Sequence, residues 1–255
     1  MLADWTIYQT PQILMVTLLA VALVGLSKGG LGGAFAMAGV PIMSMVMSPL
    51  QAAAVLLPIL LIMDAISLAH WWRYRDWSLL RTLLPAAVVG IGAGWALAAV
   101  TSDTAVRLII GIVALSFCLR ALLGRFLGGG PRHRPRMGWI WGALAGFTSF
   151  VAHAGGPPFQ IHVLPKRLDP KVYTGTSVTF FAVVNAVKVL PYAGLGMFHP
   201  AVLYSALVVI PVAAVSVSAG AWIIRRMSPQ VFYPFSYAMI GLFGVKLIWD
   251  GVSGL

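Results

Sequence analysis

Apolar residues run along the chain in blocks of about 20 positions, each long enough to cross about 30 Å of hydrocarbon as a helix, separated by short clusters of Gly, Pro, Lys and Arg. The blocks predict helices near 50–72, 78–101 and 104–123, and again near 171–193, 200–224 and 229–249. Each set of three is preceded by an apolar segment whose helical pattern is interrupted. The first, 11–47, breaks at "GLSKGGLGGAF", Gly25 to Phe35; the second, 138–165, breaks at "FVAHAGGPPF", Phe150 to Phe159. Between the halves, Gly124 to Gly138 reads "GRFLGGGPRHRPRMG", the composition of a solvated linker. The expected fold class is all-α, a polytopic membrane protein of two duplicated halves, each a broken-helix hairpin followed by three transmembrane helices.

The duplication rests on a constant shift of about 121 residues. Under it Gly25 falls on Gly146, Ser27 on Thr148, Lys28 on Ser149 and Asp64 on Asn185. Ser48-Pro49 falls on Asp169-Pro170, each an N-cap residue followed by proline at the first helical position. Chance alignment of glycine-rich apolar sequence is the competing explanation; shared breaks, shared caps and a near-isosteric Asp/Asn pair favour duplication. The expected organisation is one membrane transport domain, 1–255, with a first repeat at 1–123, a cytoplasmic linker at 124–137 and a second repeat at 138–255.

Composition agrees: 60% of the residues are hydrophobic, 9% are charged, and the mean hydropathy is +0.93, which excludes an ordinary soluble domain. The net charge of +11 stands in short clusters between apolar runs, so topology explains it better than nucleic-acid binding. Lys/Arg-rich loops stay cytoplasmic. That places Arg73 to Arg81, the linker with Arg125, Arg132, Arg134 and Arg136, the turn with Lys166, Arg167 and Lys171, and Arg225-Arg226 inside. The loops at Thr101 to Asp103 and Gly194 to His199 then face outward. Both basic flanks of 138–165 lie inside, so that segment is expected to enter and leave on one side, and 11–47 to do the same from outside. The halves become inverted repeats with both termini outside. The competing topology makes the broken segments single kinked spans, giving eight crossings and parallel repeats. No basic start or cleavage pattern predicts a removable leader, and the single cysteine, Cys118, supports neither an intrachain disulfide nor a thiolate metal cluster.

Bare backbone within hydrocarbon survives only where protein or a water-filled cavity satisfies it, so the glycine-rich breaks are expected to face a site rather than lipid. Ser27, Lys28, Gly29, Gly30, Gly32 and Gly33 would present a cation and backbone amides to an anion. Thr148, Ser149, His153, Gly155 and Gly156 would do so from the second break, where Pro157 and Pro158 suit a helix start. Gln51, Ser177, Thr179 and Asn185 are further neutral candidates. Asp64 is an intramembrane carboxylate, either a proton-coupling group, a role also open to His153, or the ion-pair partner of Lys28 or Lys188. Lys28 also has the reading of an interfacial lysine, His153 that of a satisfied core residue, and the glycines that of close helix packing.

The lysine-glycine knot of the first half, the "GGPP" turn of the second, the duplicated halves and the length together make the chain resemble the sulfite exporter TauE/SafE family of membrane permeases over essentially its whole extent. The resemblance implies a transporter in a bacterial inner membrane and a small sulfur-containing anion such as sulfite, an organosulfonate, sulfoacetate or thiosulfate as partner. It places the family's two glycine-rich motifs at Gly25 to Gly33 and Gly146 to Pro158. Neither a cofactor nor a metal is expected. His153 and His162 lie nine residues apart, not the i, i+4 spacing of a helical metal site, and no "GxxxxGK[ST]" phosphate loop is present. Competing classes are an anion channel and an intramembrane enzyme built on Ser149 and His153. The anion, the direction, the coupling ion and any homo-oligomeric state are not legible in the string.

Overall fold

The computed structural model describes residues 6–31, 35–97, 103–127, 137–194, 196 and 198–253, and these residues contain helices, turns and bends but no strand. The helices are α1 (Pro11–Leu26), which runs on through a π-helical turn at Ser27–Leu31, α2 (Gly39–Met43), α3 (Pro49–Trp71), α4 (Trp77–Ala96), α5 (Asp103–Leu127), α6 (Gly138–Ala152), α7 (Gly156–Val163), α8 (Pro170–Gly194), α9 (Pro200–Val208), α10 (Ile210–Arg226) and α11 (Pro229–Ser253). Gly32 and Gly33 lie outside the described residues.

The starts are set by caps that the sequence announces. Thr10, Ser48 and Asp76 each accept from the amide three residues on, that of Ile13, Gln51 and Leu79, and Asp169 Oδ1 accepts from the Lys171 amide beside Pro170. Five helices, Pro11–Gly30, Gln51–Trp71, Trp77–Ala96, Pro170–Gly194 and Pro229–Ser253, are long and apolar enough to cross a membrane; α9 and α10 make a sixth if counted as one. Between those two the axis bends by 52°. Pro211 explains this departure from the continuous span expected at 200–224, because its ring removes an amide and crowds the carbonyl one turn earlier. α5 also continues to Leu127, so the expected linker begins as helix. Exposed side chains such as Val89, Ile109, Leu190, Val215 and Trp249 clothe the outside in hydrocarbon-compatible groups.

The direction in which helices meet decides the architecture. Lys28 reaches Asp64, the Lys28 carbonyl meets Ser67 and the Gly29 carbonyl meets Trp71, while Gly39 lies against both Val24 and Leu56. Contacts rise in number along both α1 and α3, so the two helices run parallel and the chain turns back between them, as a hairpin requires and a single kinked crossing does not. The entering arm, Pro11–Gly30, has 20 residues and is longer than the half-helix expected there.

Contacts between the halves come in exchanged pairs. α1 runs parallel to α10, with Gly25 against Ser216 and Gly29 against Gly220; α6 runs parallel to α4, with Gly142 against Leu83 and Gly146 against Ala87. α10 also packs on α3, and α4 on α8. Two further contacts join helices that correspond under the repeat shift, antiparallel. In α3 and α8, Asp64 meets Asn185 while the Trp71 carbonyl meets Gly175; in α5 and α11, Gly111 meets Ile248, Leu115 meets Gly244 and Cys118 meets Gly241. Small residues let these backbones approach, the usual basis of helix association in lipid.

Outside the apolar layer, Lys166 donates to Asp76 at 2.5 Å and Thr176 Oγ1 accepts from the Asp76 amide, tying the α3–α4 loop to the second half. Burial pushes the Asp76 carboxyl up, but hydrogen bonds from Lys166 and from the Leu79 and Ser78 amides outweigh it and hold the group below the ordinary carboxylate range.

Two outcomes follow. A Cβ at Gly146 would overlap the Ala87 carbonyl oxygen, whereas one at Gly92 meets nothing within 4 Å. Gly146→Ala should therefore cost about 1–3 kcal/mol, and Gly92→Ala should leave the thermal midpoint in detergent unchanged; equal midpoints for both variants would refute the close approach. Because the folded pKa of Asp76 is depressed, its stabilising contribution is present above the unfolded value of about 3.9 and is lost as pH falls through the folded value. Asp76→Asn should remove that part of the acid sensitivity, read as a smaller change in thermal midpoint between neutral and acid buffer; an unchanged difference would assign the sensitivity elsewhere.

Candidate functional site

The first break is built from glycine stereochemistry. Gly30 has φ 135°, a region that L side chains avoid, and this ends the π-helical turn that carries Lys28. The carbonyls released by the break are not left bare. Ser67 Oγ donates to the Lys28 carbonyl at 2.9 Å and Trp71 Nε1 to the Gly29 carbonyl at 2.9 Å, both from α3. The break therefore rests on a neighbouring helix rather than on water.

The second break is made differently. His153 takes a left-handed conformation, φ 51° and ψ 26°, at the end of α6, a place where glycine is the usual occupant. The Ala154 amide donates to the Thr148 carbonyl at 3.0 Å, and Lys188 Nζ donates to the Ser149 carbonyl at 3.2 Å. Pro157 and Pro158 bring no amide to the first turn of α7, and the Phe159 amide already donates to the Gly155 carbonyl. The amides left at this helix start are those of Gly155 and Gly156.

Between the two breaks Lys28 Nζ lies 2.5 Å from Asp64 Oδ1, and Asn185 Nδ2 donates to Asp64 Oδ2 at 2.7 Å. Lysine and aspartate come from one half and asparagine from the other; Asp64 and Asn185 are counterparts under the repeat shift. The ion-pair reading of Asp64 is thus the one realised, with Lys28 rather than Lys188 as partner, and both carboxylate oxygens are engaged. Lys28 is a buried group, not an interfacial one.

A cavity of about 60 Å³ opens beside this pair, several times the roughly 10–15 Å³ that one water needs. From the first break it is lined by Ser27, Lys28 and Gly30, and from the second by Ser149, His153, Gly155 and Gly156. α8 contributes Ser177 and Asn185. Four expected residues stand elsewhere. Gly29 presses against the Val217 carbonyl of α10, a packing role. The Thr148 hydroxyl donates back to the Leu144 carbonyl, and that of Thr179 to the Gly175 carbonyl, each within one helical turn. Gln51 is exposed at the start of α3.

The structure also adds residues. Lys188, Tyr173 and Thr174, each 1% exposed, line the cavity. Lys188 carried a usable signal, since it is an intramembrane lysine one turn from Asn185. Tyr173 and Thr174 carried none, because hydroxyl residues on an apolar helix do not disclose which way they point.

No curated protein and no solved structure matches the chain. The family model described as sulfite exporter TauE/SafE does, over residues 17–247. That range takes in both breaks, the Lys28–Asp64–Asn185 link and the cavity, and the chain belongs to this family of membrane transporters.

Proposed function

We propose that the protein is a secondary transporter, working as an exporter, of a small sulfur-containing oxyanion such as sulfite or an organosulfonate. The anion binds in the cavity between the two broken helices and moves by alternating access in the inner membrane of a bacterium. The observation that carries this reading is the cavity itself. It lies between both breaks and is lined by two buried lysines, one of them paired with Asp64, and by hydroxyl and amide donors suited to an oxyanion.

In this reading the halves are inverted repeats, 1–123 and 138–255, joined by a cytoplasmic linker. The antiparallel meeting of α3 with α8 and of α5 with α11 supports it, as does the exchange of contacts between α1·α10 and α6·α4. Alternating access then consists of the paired interfaces trading geometry about the axis through Asp64 and Asn185. Ser27, Ser149, Ser177 and Asn185 offer neutral donors, and His153 with Gly155 and Gly156 closes the site from the second half. Asp64 serves first as the counter-charge of Lys28; a coupling proton would have to compete with the Lys28 and Asn185 bonds.

Purified protein in proteoliposomes should give saturable sulfite flux that methanesulfonate competes for more effectively than sulfate. Lys28→Ala strands Asp64 without its partner, a loss of about 3–5 kcal/mol for a broken buried pair, and should reduce flux to background in protein that still elutes as a single species. Large single-channel conductance in planar bilayers would replace the transporter with a channel. Undiminished flux in the variant would remove Lys28 from the site.

A further inference from the structure

Two buried lysines, Lys28 and Lys188, line the cavity, and one carboxylate, Asp64, stands behind the first of them. Lys28 and Asp64 form one ion pair at 2.5 Å, and the second Asp64 oxygen is taken by Asn185. Lys188 stands apart from this pair: it is 1% exposed, and among the described residues it makes no ion pair, its bond being to the Ser149 carbonyl at 3.2 Å. An ammonium in such surroundings lacks both water and a counter-ion, the arrangement that costs most in a protein interior.

Comparison of the halves isolates what that ammonium adds. Lys188 occupies the position of Ser67 under the repeat shift, and Ser149 that of Lys28. Ser67 donates to the Lys28 carbonyl as Lys188 donates to the Ser149 carbonyl. A hydroxyl is therefore sufficient to satisfy the carbonyl freed by a broken helix. Lysine at the second position brings two further N–H donors and a full charge that this structural bond does not require.

A separate observation concerns the other end of the same cavity. Tyr173 Oη and Thr174 Oγ1 have no hydrogen-bond partner among the described residues, and both residues are 1% exposed and line the cavity. Buried hydroxyls are paired in nearly all proteins, so two orphans at neighbouring positions leave room for an acceptor in the cavity, about 20 Å along α8 from Lys188. Ser177, one turn along α8 from both, lines the cavity too.

Resting on the transport reading above, we infer that Lys188 is the cation that pairs with the transported anion, and that the cavity selects singly charged oxyanions over doubly charged ones. Two ammonium groups and one carboxylate leave a net charge of one, which a monoanion cancels. A dianion leaves one negative charge uncompensated beside Asp64. Lys28 acts as the counter-charge that keeps Asp64 from repelling the ligand.

Methanesulfonate, a fixed monoanion, and sulfate, a dianion at neutral pH, separate these terms when titrated against the detergent-purified full chain, with affinity read from the rise in thermal midpoint. The native protein should respond to methanesulfonate at lower concentration than to sulfate. Lys188→Gln should weaken methanesulfonate binding by at least about tenfold. Asp64→Asn raises the net charge to two and should move the sulfate-to-methanesulfonate preference toward sulfate by about tenfold. The double variant returns the net charge to one through the released Lys28, and methanesulfonate binding should recover. Binding by Lys188→Gln equal to that of the native chain, or an unaltered preference in Asp64→Asn, overturns the inference while leaving the transport reading intact. If Lys188→Gln does not fold, the preference of Asp64→Asn decides alone. A native protein stabilised by neither probe nor by sulfite overturns both readings.

Discussion

Asp64 is the group on which the rest of the site depends. One of its oxygens takes the Lys28 ammonium from the broken end of α1, and the other takes the Asn185 amide from α8. Through the first bond the π-helical turn is held against α3, and through the second α3 is held to its counterpart in the other half. A carboxylate at 3% exposure is tolerable only because both oxygens are engaged, and Lys28 is tolerable only because the carboxylate is there. The same pair also fixes the charge that an entering anion encounters.

Around that link the chain solves one problem twice, by different means. A helix broken inside hydrocarbon exposes carbonyls, and α3 covers those of the first break with a serine hydroxyl and a tryptophan N–H. The second break is closed by its own turn, through the left-handed His153 and the Ala154 amide, and by Lys188 from α8. The first tip is thus supported from outside, and the second largely supports itself. Pro157 and Pro158 reduce the donors that the second tip can offer, so in the proposed site cationic and hydroxyl groups on α8 would carry more of the ligand chemistry than helix-start amides.

Much of this was written in local pattern. Breaks in an apolar run, Ser48-Pro49 and Asp169-Pro170 at helix starts, and a carboxylate in hydrocarbon are each chemically unusual enough to stand out in the string. Asp64 and Asn185 could be aligned by their shift, and they meet in space because each lies at the crossing of counterpart helices. What stayed hidden depends on which way a side chain faces. Gly29 and Gly30 are neighbours with the same chemistry, yet one packs on Val217 and the other lines the cavity. Thr148 and Thr179 looked like anion donors, but their hydroxyls return to carbonyls of their own helices, a choice that composition cannot reveal. Lys188 was visible only as a possible partner for Asp64, because which of two lysines reaches that carboxylate is a matter of packing.

The near-symmetry of the contacts and the asymmetry of the charges bear on transport together. Exchanged interfaces, α1 on α10 and α6 on α4, are the contacts that the proposed alternation between two arrangements would trade between the halves. Were the charges equally symmetric, two carboxylates would face each other at the axis, and neither could stay ionised without its own cation. Asparagine at 185 removes that repulsion and turns the axis into a hydrogen bond. Lysine at 188, the counterpart of serine at 67, places a basic group in the second half but sets it against the cavity instead of against a carboxylate. The backbone contacts can therefore be close to equivalent in the two arrangements while the electrostatic site remains single. One anion, rather than one per half, is what such a distribution accommodates.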